Sequence, residues 1–240
     1  VSLKGPIFKD VSDRLANLYL IAKGFSGAAI FDKAGKAHQS KDILYKKDVM
    51  ILRTRYNQKS TPNFDLFNKA VEQFKRSQHV GDENLIVLIE VLMTNVLDDT
   101  KELNNSDLEQ FAKRAEELCQ TGNYVIVSNF TRNHKLAQYL SRCRPNSVGI
   151  STNIANLKHV FNSKNYGANY TDELLAYISD LFSRNVKLYA YPYLDKKNNT
   201  IITTANIPVS EEAKPLFEFL VKNNYITDIE EYDTKDVKTI

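Results

Sequence analysis

Many hydrophobic residues of the chain recur every three to four residues, and this spacing predicts amphipathic helices. The clearest helix follows a capping box formed by Ser106 and Glu109 and ends before Gly122. Its apolar residues recur as they do on one face of a helix. Four more helices are predicted over about 11–22, from Thr61 and Pro62, from Thr171, and within 210–223, where Pro215 lies in the first turn unless the helix begins later.

Short continuous apolar runs alternate with these helices and predict buried strands over residues 28–31, 49–52, 124–127 and 148–150. Continuous rather than alternating hydrophobicity means that both faces of the sheet are covered. We therefore predict an α/β fold with a mostly parallel sheet flanked by helices. Residues 85–93 fit either another strand or a buried helix.

Near the C-terminal end, apolar runs over 187–193 and 200–207 flank a polar turn and predict a β-hairpin, with Pro192 favouring a sheet edge. No linker rich in Gly, Ser or Pro interrupts the chain. We predict a single domain over residues 1–240, with 98–106 as the candidate boundary. Because the first residue is Val1 rather than Met, a fragment of a longer protein is also considered.

Composition narrows the class of protein without naming its activity. The 240 residues are 42% hydrophobic and 25% charged, which excludes disorder and collagen-like repeats. The net charge of +3 permits a nucleic-acid partner but does not require one. No apolar run is long enough to span a membrane. The two cysteines, Cys119 and Cys143, suit a reducing compartment, so we predict buried thiols and a cytoplasmic location.

Candidate site residues follow from the rule that ligands bind beyond the carboxyl ends of parallel strands. Arg53 and Arg55 project to the same side of an extended segment and could hold one phosphate, although a solvated strand end is an equal alternative. The next strand leads into a polar loop at a predicted helix start, where a phosphate could bind. Its candidate phosphate-binding residues are Ser128, Asn129 and Arg132, and His134 is the candidate acid or base.

A second candidate loop follows the strand that ends at Ile150. Ser151 and Thr152 offer hydroxyls and helix-end amides to a substrate, but such residues are also ordinary N-caps. Both loops converge on one crevice only if all four buried strands run the same way. The remaining histidines have no spacing that builds a metal site, so no structural metal is predicted.

The basic residues after the third buried strand keep a nucleic-acid interface as an alternative. They are Arg132, Lys135, Arg142 and Arg144. Because no aromatic residues alternate with them, a solvated helix face is the favoured interpretation and a nucleic-acid partner the less favoured one.

Over nearly its whole length the chain resembles a bacterial family known as nicotinate- or nicotinamide-nucleotide adenylyltransferases. The similar segments are residues 5–11, 52–56 with 62–63, 92–95, 125–130 and 188–192. The resemblance implies adenylyl transfer from ATP to a mononucleotide in NAD biosynthesis, with Mg²⁺ accompanying ATP. Ile150-Ser151-Thr152 partly matches a helix-start motif of well-studied adenylyltransferases, but Asn156 stands where an arginine is expected and no His-x-Gly-His element is present.

Two functions remain as hypotheses from the sequence. The first is a protein that binds a nucleotide or another phosphorylated small molecule, with adenylyl transfer as the implied reaction. The second is a non-catalytic binding or assembly domain of a larger protein, or a nucleic-acid-binding module. Walker, dinucleotide-binding and nucleophile-elbow motifs do not occur in the sequence, and the choice between enzyme and binding module stays open.

Overall fold

The computed structural model describes residues 12–55, 64–93, 105–165, 169–233 and 237. It divides the chain into two compact units, unit 1 over residues 1–61 and 85–146 and unit 2 over residues 62–84 and 147–240. The candidate boundary at 98–106 lies mostly outside the described residues, and the single-domain organisation stays a prediction.

Helices and strands alternate along most of the described chain. The helices are α1 (Asp13–Ala22), α2 (Ser40–Leu44), α3 (Phe64–Gln78), α4 (Asn105–Gln120), α5 (Asn133–Arg142), α6 (Ile154–Val160), α7 (Tyr170–Phe182) and α8 (Lys214–Lys222). The strands are β1 (Ala28–Phe31), β2 (Ala37–His38), β3 (Asp48–Arg55), β4 (Leu85–Leu92), β5 (Tyr124–Ser128), β6 (Ser147–Asn153), β7 (Val186–Tyr191), β8 (Tyr193–Asp195), β9 (Thr200–Ile202) and β10 (Ile226–Asp228).

Unit 1 contains five described strands in the order β3-β4-β5-β1-β2. Strands β3, β4 and β5 are parallel, whereas β1 pairs antiparallel with both β5 and β2. Every residue of β1 is buried, as are the last five of β4. This burial confirms that the continuous apolar runs form strands covered on both faces. The pairing of β4 with β3 and β5 settles residues 85–92 in favour of a strand.

Unit 2 contains three parallel strands in the order β6-β7-β10, with a separate antiparallel hairpin of β8 and β9. The mostly parallel α/β fold and the hairpin near the C-terminal end are confirmed. The hairpin is shorter than predicted because Pro192, which lacks a backbone N–H, lies between β7 and β8 and divides the first apolar run. In α8, Pro215 lies in the first turn, where its missing N–H leaves no helical hydrogen bond unmade.

The direction of β1 corrects the expectation that all four buried strands run the same way. In the antiparallel register, Phe31 pairs with Val125 and Ala28 pairs with Ser128. The residues after β1 therefore lie at the opposite edge from those after β5. The cause is local: β1 turns directly into β2, and an antiparallel pair can be joined by a short turn, whereas parallel strands need a long crossover.

The Asp32 carboxylate holds this short turn together. Its Oδ1 accepts hydrogen bonds from the backbone N–H groups of Ala34 and Lys36, both at 2.9 Å, and its Oδ2 lies 2.6 Å from His38 Nε2. Burial alone raises the pKa of Asp32, but the His38 and backbone hydrogen bonds lower it more, so the net shift is downward. Gly35 adopts φ 75°, which a glycine accepts without strain.

Two further findings concern the cysteines and membrane spans. Cys119 and Cys143 are buried free thiols, and burial raises the pKa of Cys119 to about 11.

Across the described ranges, no helix has the length and apolar character needed to cross a membrane.

Replacing Asp32 with Asn tests how much the negative charge of Asp32 contributes to the stability of the fold. Because folding lowers the pKa of this carboxyl, its charge stabilises the fold above its unfolded-state pKa and loses that effect as pH falls through the folded-state pKa. We expect Asp32→Asn to lower the free energy of unfolding by about 1 kcal/mol at neutral pH and by much less in acid. Urea unfolding at both pH values measures the difference, with the exposed Asp42→Asn as control. An equal loss at both pH values would contradict this account.

Candidate functional site

A polar cluster lies within the parallel strands of unit 1, and strand register places its members together. Arg53 on β3 is the direct neighbour of Glu90 on β4. Leu92 on β4 pairs with Ser128 on β5, so Ser128 is a diagonal neighbour of Glu90 on the same face of the sheet. Two of the predicted site residues, Arg53 and Ser128, are therefore brought together, and a buried glutamate joins them.

Glu90 has no exposed surface, and its carboxylate oxygens accept hydrogen bonds from Arg53 and Ser128. Arg53 donates from Nε to one Glu90 oxygen and from Nη2 to the other, the second at 3.4 Å. Ser128 Oγ donates to Glu90 Oε1 at 2.5 Å. An ionised carboxylate without such partners would be too costly to bury, so these contacts are what allow Glu90 to lie inside the sheet.

The same arginine holds the loop that follows β5. Its Nη2 donates to the Phe130 carbonyl oxygen, and its Nη1 donates to Asn133 Oδ1 at 2.6 Å. Ser128 Oγ accepts from the Phe130 N–H at 3.3 Å. Arg53 thus fixes both the middle of the loop and the first residue of α5, and most of its N–H donors are used inside the protein.

Between these fixed points, the loop presents exposed polar side chains at the start of α5. Thr131 and Arg132 are exposed, and Asn129 is half-buried. The N-cap residue of α5 is Arg132, whose guanidinium has no hydrogen-bond acceptor for the helix amides. The first turn carries no acidic side chain. His134, also in this turn, is only 7% exposed.

The start of α6 in unit 2 is built differently. Its N-cap Asn153 accepts a hydrogen bond from the Asn156 N–H at 2.7 Å, as an ordinary helix cap does. Ser151 and Thr152 are both buried and precede this cap. The residue of this loop that caps α6 is therefore Asn153, and its hydrogen-bond donor is the Asn156 N–H.

The phenol of Tyr191 lies near Ser151 in unit 2. Burial raises the pKa of the Tyr191 phenol far above its ordinary value, and the neighbouring Ser151 hydroxyl only partly offsets this shift. Within the described chain, neither hydroxyl makes a hydrogen bond of normal geometry. By contrast, the Tyr189 hydroxyl lies 2.8 Å from Ser77 Oγ.

The predicted site residues fall into three groups. Ser128 ends β5, and Asn129, Arg132 and His134 follow it in the loop or the first turn of α5 that Arg53 holds. Ser151 and Thr152 belong to unit 2. Arg55 ends β3, and its side chain lies outside the described part of the structure. Among the described residues, no group of three or more His, Cys, Asp or Glu side chains could hold a metal ion.

Glu90 and Asn133 are the members of the cluster that the sequence analysis missed. Glu90 interrupts an otherwise apolar run, and a charge inside a buried strand indicates a buried partner of opposite charge. The sequence therefore indicated that Glu90 has a buried partner of opposite charge. The identity of its partner depends on the register between β3 and β4, which no local pattern specifies.

Scans against known protein families, curated proteins and solved structures found no match.

A double-mutant cycle tests whether Arg53 and Glu90 act as one unit. Glu90→Leu leaves the arginine partly buried without its counter-charge, and we expect a loss of about 3 to 5 kcal/mol in unfolding free energy. Arg53→Met together with Glu90→Leu removes both charges and should cost clearly less than the two single losses added. Urea unfolding followed by circular dichroism gives all four values. Additive losses would show that the two side chains do not depend on each other.

Proposed function

We propose that this protein binds a nucleotide or another phosphorylated small molecule at the start of α5. Arg132 and Asn129 contact the phosphate, and the first amides of α5 contribute their partial positive charge. Arg53, Glu90 and Ser128 do not contact the ligand in this proposal. They hold the loop in the geometry that binding requires.

The observation that carries the proposal is the cation at the N-cap of α5. An N-cap side chain that accepts from the first amides is found at α6, with Asn153, whereas the described N-cap residues of α1, α2, α7 and α8 make no such bond. Among the N-cap residues that the structure describes, only that of α5, Arg132, is a cation, and no acidic residue in the first turn of α5 offsets it. A positive side chain next to the positive end of a helix is unfavourable alone and becomes favourable when an anion binds between them.

The finer proposal is adenylyl transfer to a nicotinate or nicotinamide mononucleotide, based on the family resemblance. A phosphate oxygen of the mononucleotide attacks the α-phosphorus of ATP, the bond to the β-phosphate oxygen breaks, and pyrophosphate leaves with Mg²⁺. Positioning and charge stabilisation would supply most of the catalysis. His134 is the proposed acid or base, acting from the first turn of α5.

Binding is tested by calorimetric titration of the protein with ATP, AMP and nicotinamide mononucleotide. We expect at least one of them to bind, and Arg132→Ala to weaken that binding by about tenfold or more, because a charge-assisted hydrogen bond contributes about 1.5 to 3 kcal/mol. Lys113→Ala removes an exposed charge from α4 and serves as the matched control. The nucleotide form of the proposal is wrong if none of the three binds, and the site at the start of α5 is wrong if Arg132→Ala binds as tightly as the unchanged protein.

The reaction is tested separately by incubating the protein with ATP, Mg²⁺ and each mononucleotide. Adenylyl transfer predicts equal amounts of pyrophosphate and dinucleotide. His134→Gln should then lower the turnover rate by about a hundredfold or more with little change in nucleotide affinity. Binding without product would retain the binding function and reject the enzymatic one.

A further inference from the structure

Two turns of unit 1 are joined by backbone hydrogen bonds near the end of α5 opposite to the proposed phosphate site. The Lys46 N–H donates to the Arg144 carbonyl at 3.0 Å, and the Asn146 N–H donates to the Lys47 carbonyl at 2.8 Å. Asn146 Nδ2 also donates to the Lys46 carbonyl at 2.9 Å. The turn before β3 and the turn after α5 therefore form one surface, although about a hundred residues separate them in the chain.

This surface carries an excess of positive charge. Residues 41–48 and 142–146 contain five Lys or Arg and two Asp, an excess of three that equals the net charge of the whole chain. We call it the basic turn surface and define it by its exposed basic and aromatic residues, Lys41, Tyr45, Lys46, Arg142 and Arg144; Asp42 and Asn146 are also exposed in the same segments. Within the described ranges, none of its four cations forms an ion pair, whereas Arg14, Lys75 and Arg114 each pair with an acidic side chain.

Two of these cations are held in an unfavourable backbone conformation. Lys46 and Arg144 both have φ 55°, each one residue after a helix C-cap. Glycine or asparagine is usual at that position, and Asn224 occupies it after α8. A cation near a helix C-terminus is favourable for the helix dipole, but the backbone conformation at these two positions favours neither Lys nor Arg.

An exposed aromatic ring lies among the charges. Tyr45 is 45% exposed, and the Lys46 ammonium lies 5.4 Å from the centre of its ring. Cations that follow a phosphate backbone, together with an aromatic ring on which a base can stack, are the two elements of single-strand recognition. One ring offers no apolar face wide enough to insert into a lipid surface.

We propose that the basic turn surface binds single-stranded nucleic acid. The four cations contact successive phosphates, and a base stacks on Tyr45. The sequence favoured a solvated helix face because the basic residues around α5 show no regular alternation with aromatic residues. The one aromatic residue within α5, Tyr139, is half-buried, and its hydroxyl lies 2.7 Å from Ser40 Oγ. The ring is supplied instead by the turn before β3, which only the tertiary structure brings next to Arg144.

The test measures the anisotropy of fluorescent oligouridine RNA and oligothymidine DNA of about 12 nucleotides, mixed with the protein over a range of salt concentrations. Binding of either strand supports the proposal, and the stronger one identifies the natural partner as RNA or DNA. With four phosphate contacts, the logarithm of the association constant should fall with the logarithm of salt with a slope of about −3. Excess ATP should not displace the strand, because the proposed nucleotide site lies at the other end of α5.

Two variants separate charge from stacking. Lys46→Asn with Arg144→Asn removes two cations and places a residue tolerated at positive φ, so the fold should be at least as stable while the salt slope falls in magnitude by about 1.4. Tyr45→Ala should weaken binding by about tenfold, and Tyr45→Phe should keep most of it. Lys113→Gln is the control for loss of an exposed charge.

Three results would overturn the proposal. The first is that neither strand binds the unchanged protein at low salt. The second is that the double variant and Tyr45→Ala bind as the unchanged protein does. The third is that vesicles containing phosphatidylserine bind the surface while both strands fail, which would make it a membrane-binding surface. Because ATP binding is measured with Arg132→Ala and strand binding with these variants, either proposal can fail alone.

Discussion

The geometry of unit 1 depends on a carboxylate that has no contact with water. Glu90 lies in β4, between two other parallel strands, and it is tolerated there only because Arg53 and Ser128 satisfy its oxygens. The arginine that neutralises it also bonds to the loop after β5 and to the first residue of α5. The start of α5 is thus held by a charge pair inside the sheet, which explains how an exposed loop can keep a fixed shape.

Much of the fold follows from local patterns in the sequence. Buried strands such as β1 and β5 appear as continuous apolar runs, and α4 is defined by its apolar spacing and by Gly122, which ends it. The direction of β1 does not follow from such patterns, because a buried strand has the same composition whichever way it runs. The short turn at Asp32, which requires an antiparallel pair, was the available signal.

The sequence could predict where the candidate site lies in the fold, but it could not predict what each side chain of the site contacts. The carboxyl-end rule selects Arg53, Ser128 and Arg132, and the structure places all three in contact with one loop or within it. It does not show that Arg53 directs its donors inward, because that depends on the register that places it beside Glu90. Side-chain roles in a parallel sheet depend on pairing between strands far apart in sequence, and such pairing leaves little local trace.

The two ends of α5 show how one kind of side chain can have different explanations. Arg142 lies in the last turn, where a cation is favourable for the helix itself. Arg132 is the N-cap residue, where the same charge opposes the helix dipole. A charge that the fold does not need is better evidence of a ligand than one that it does. On that criterion Arg132 supports an anion at the helix start, whereas at the other end Lys46, Arg144 and Tyr45 support a ligand and Arg142 does not.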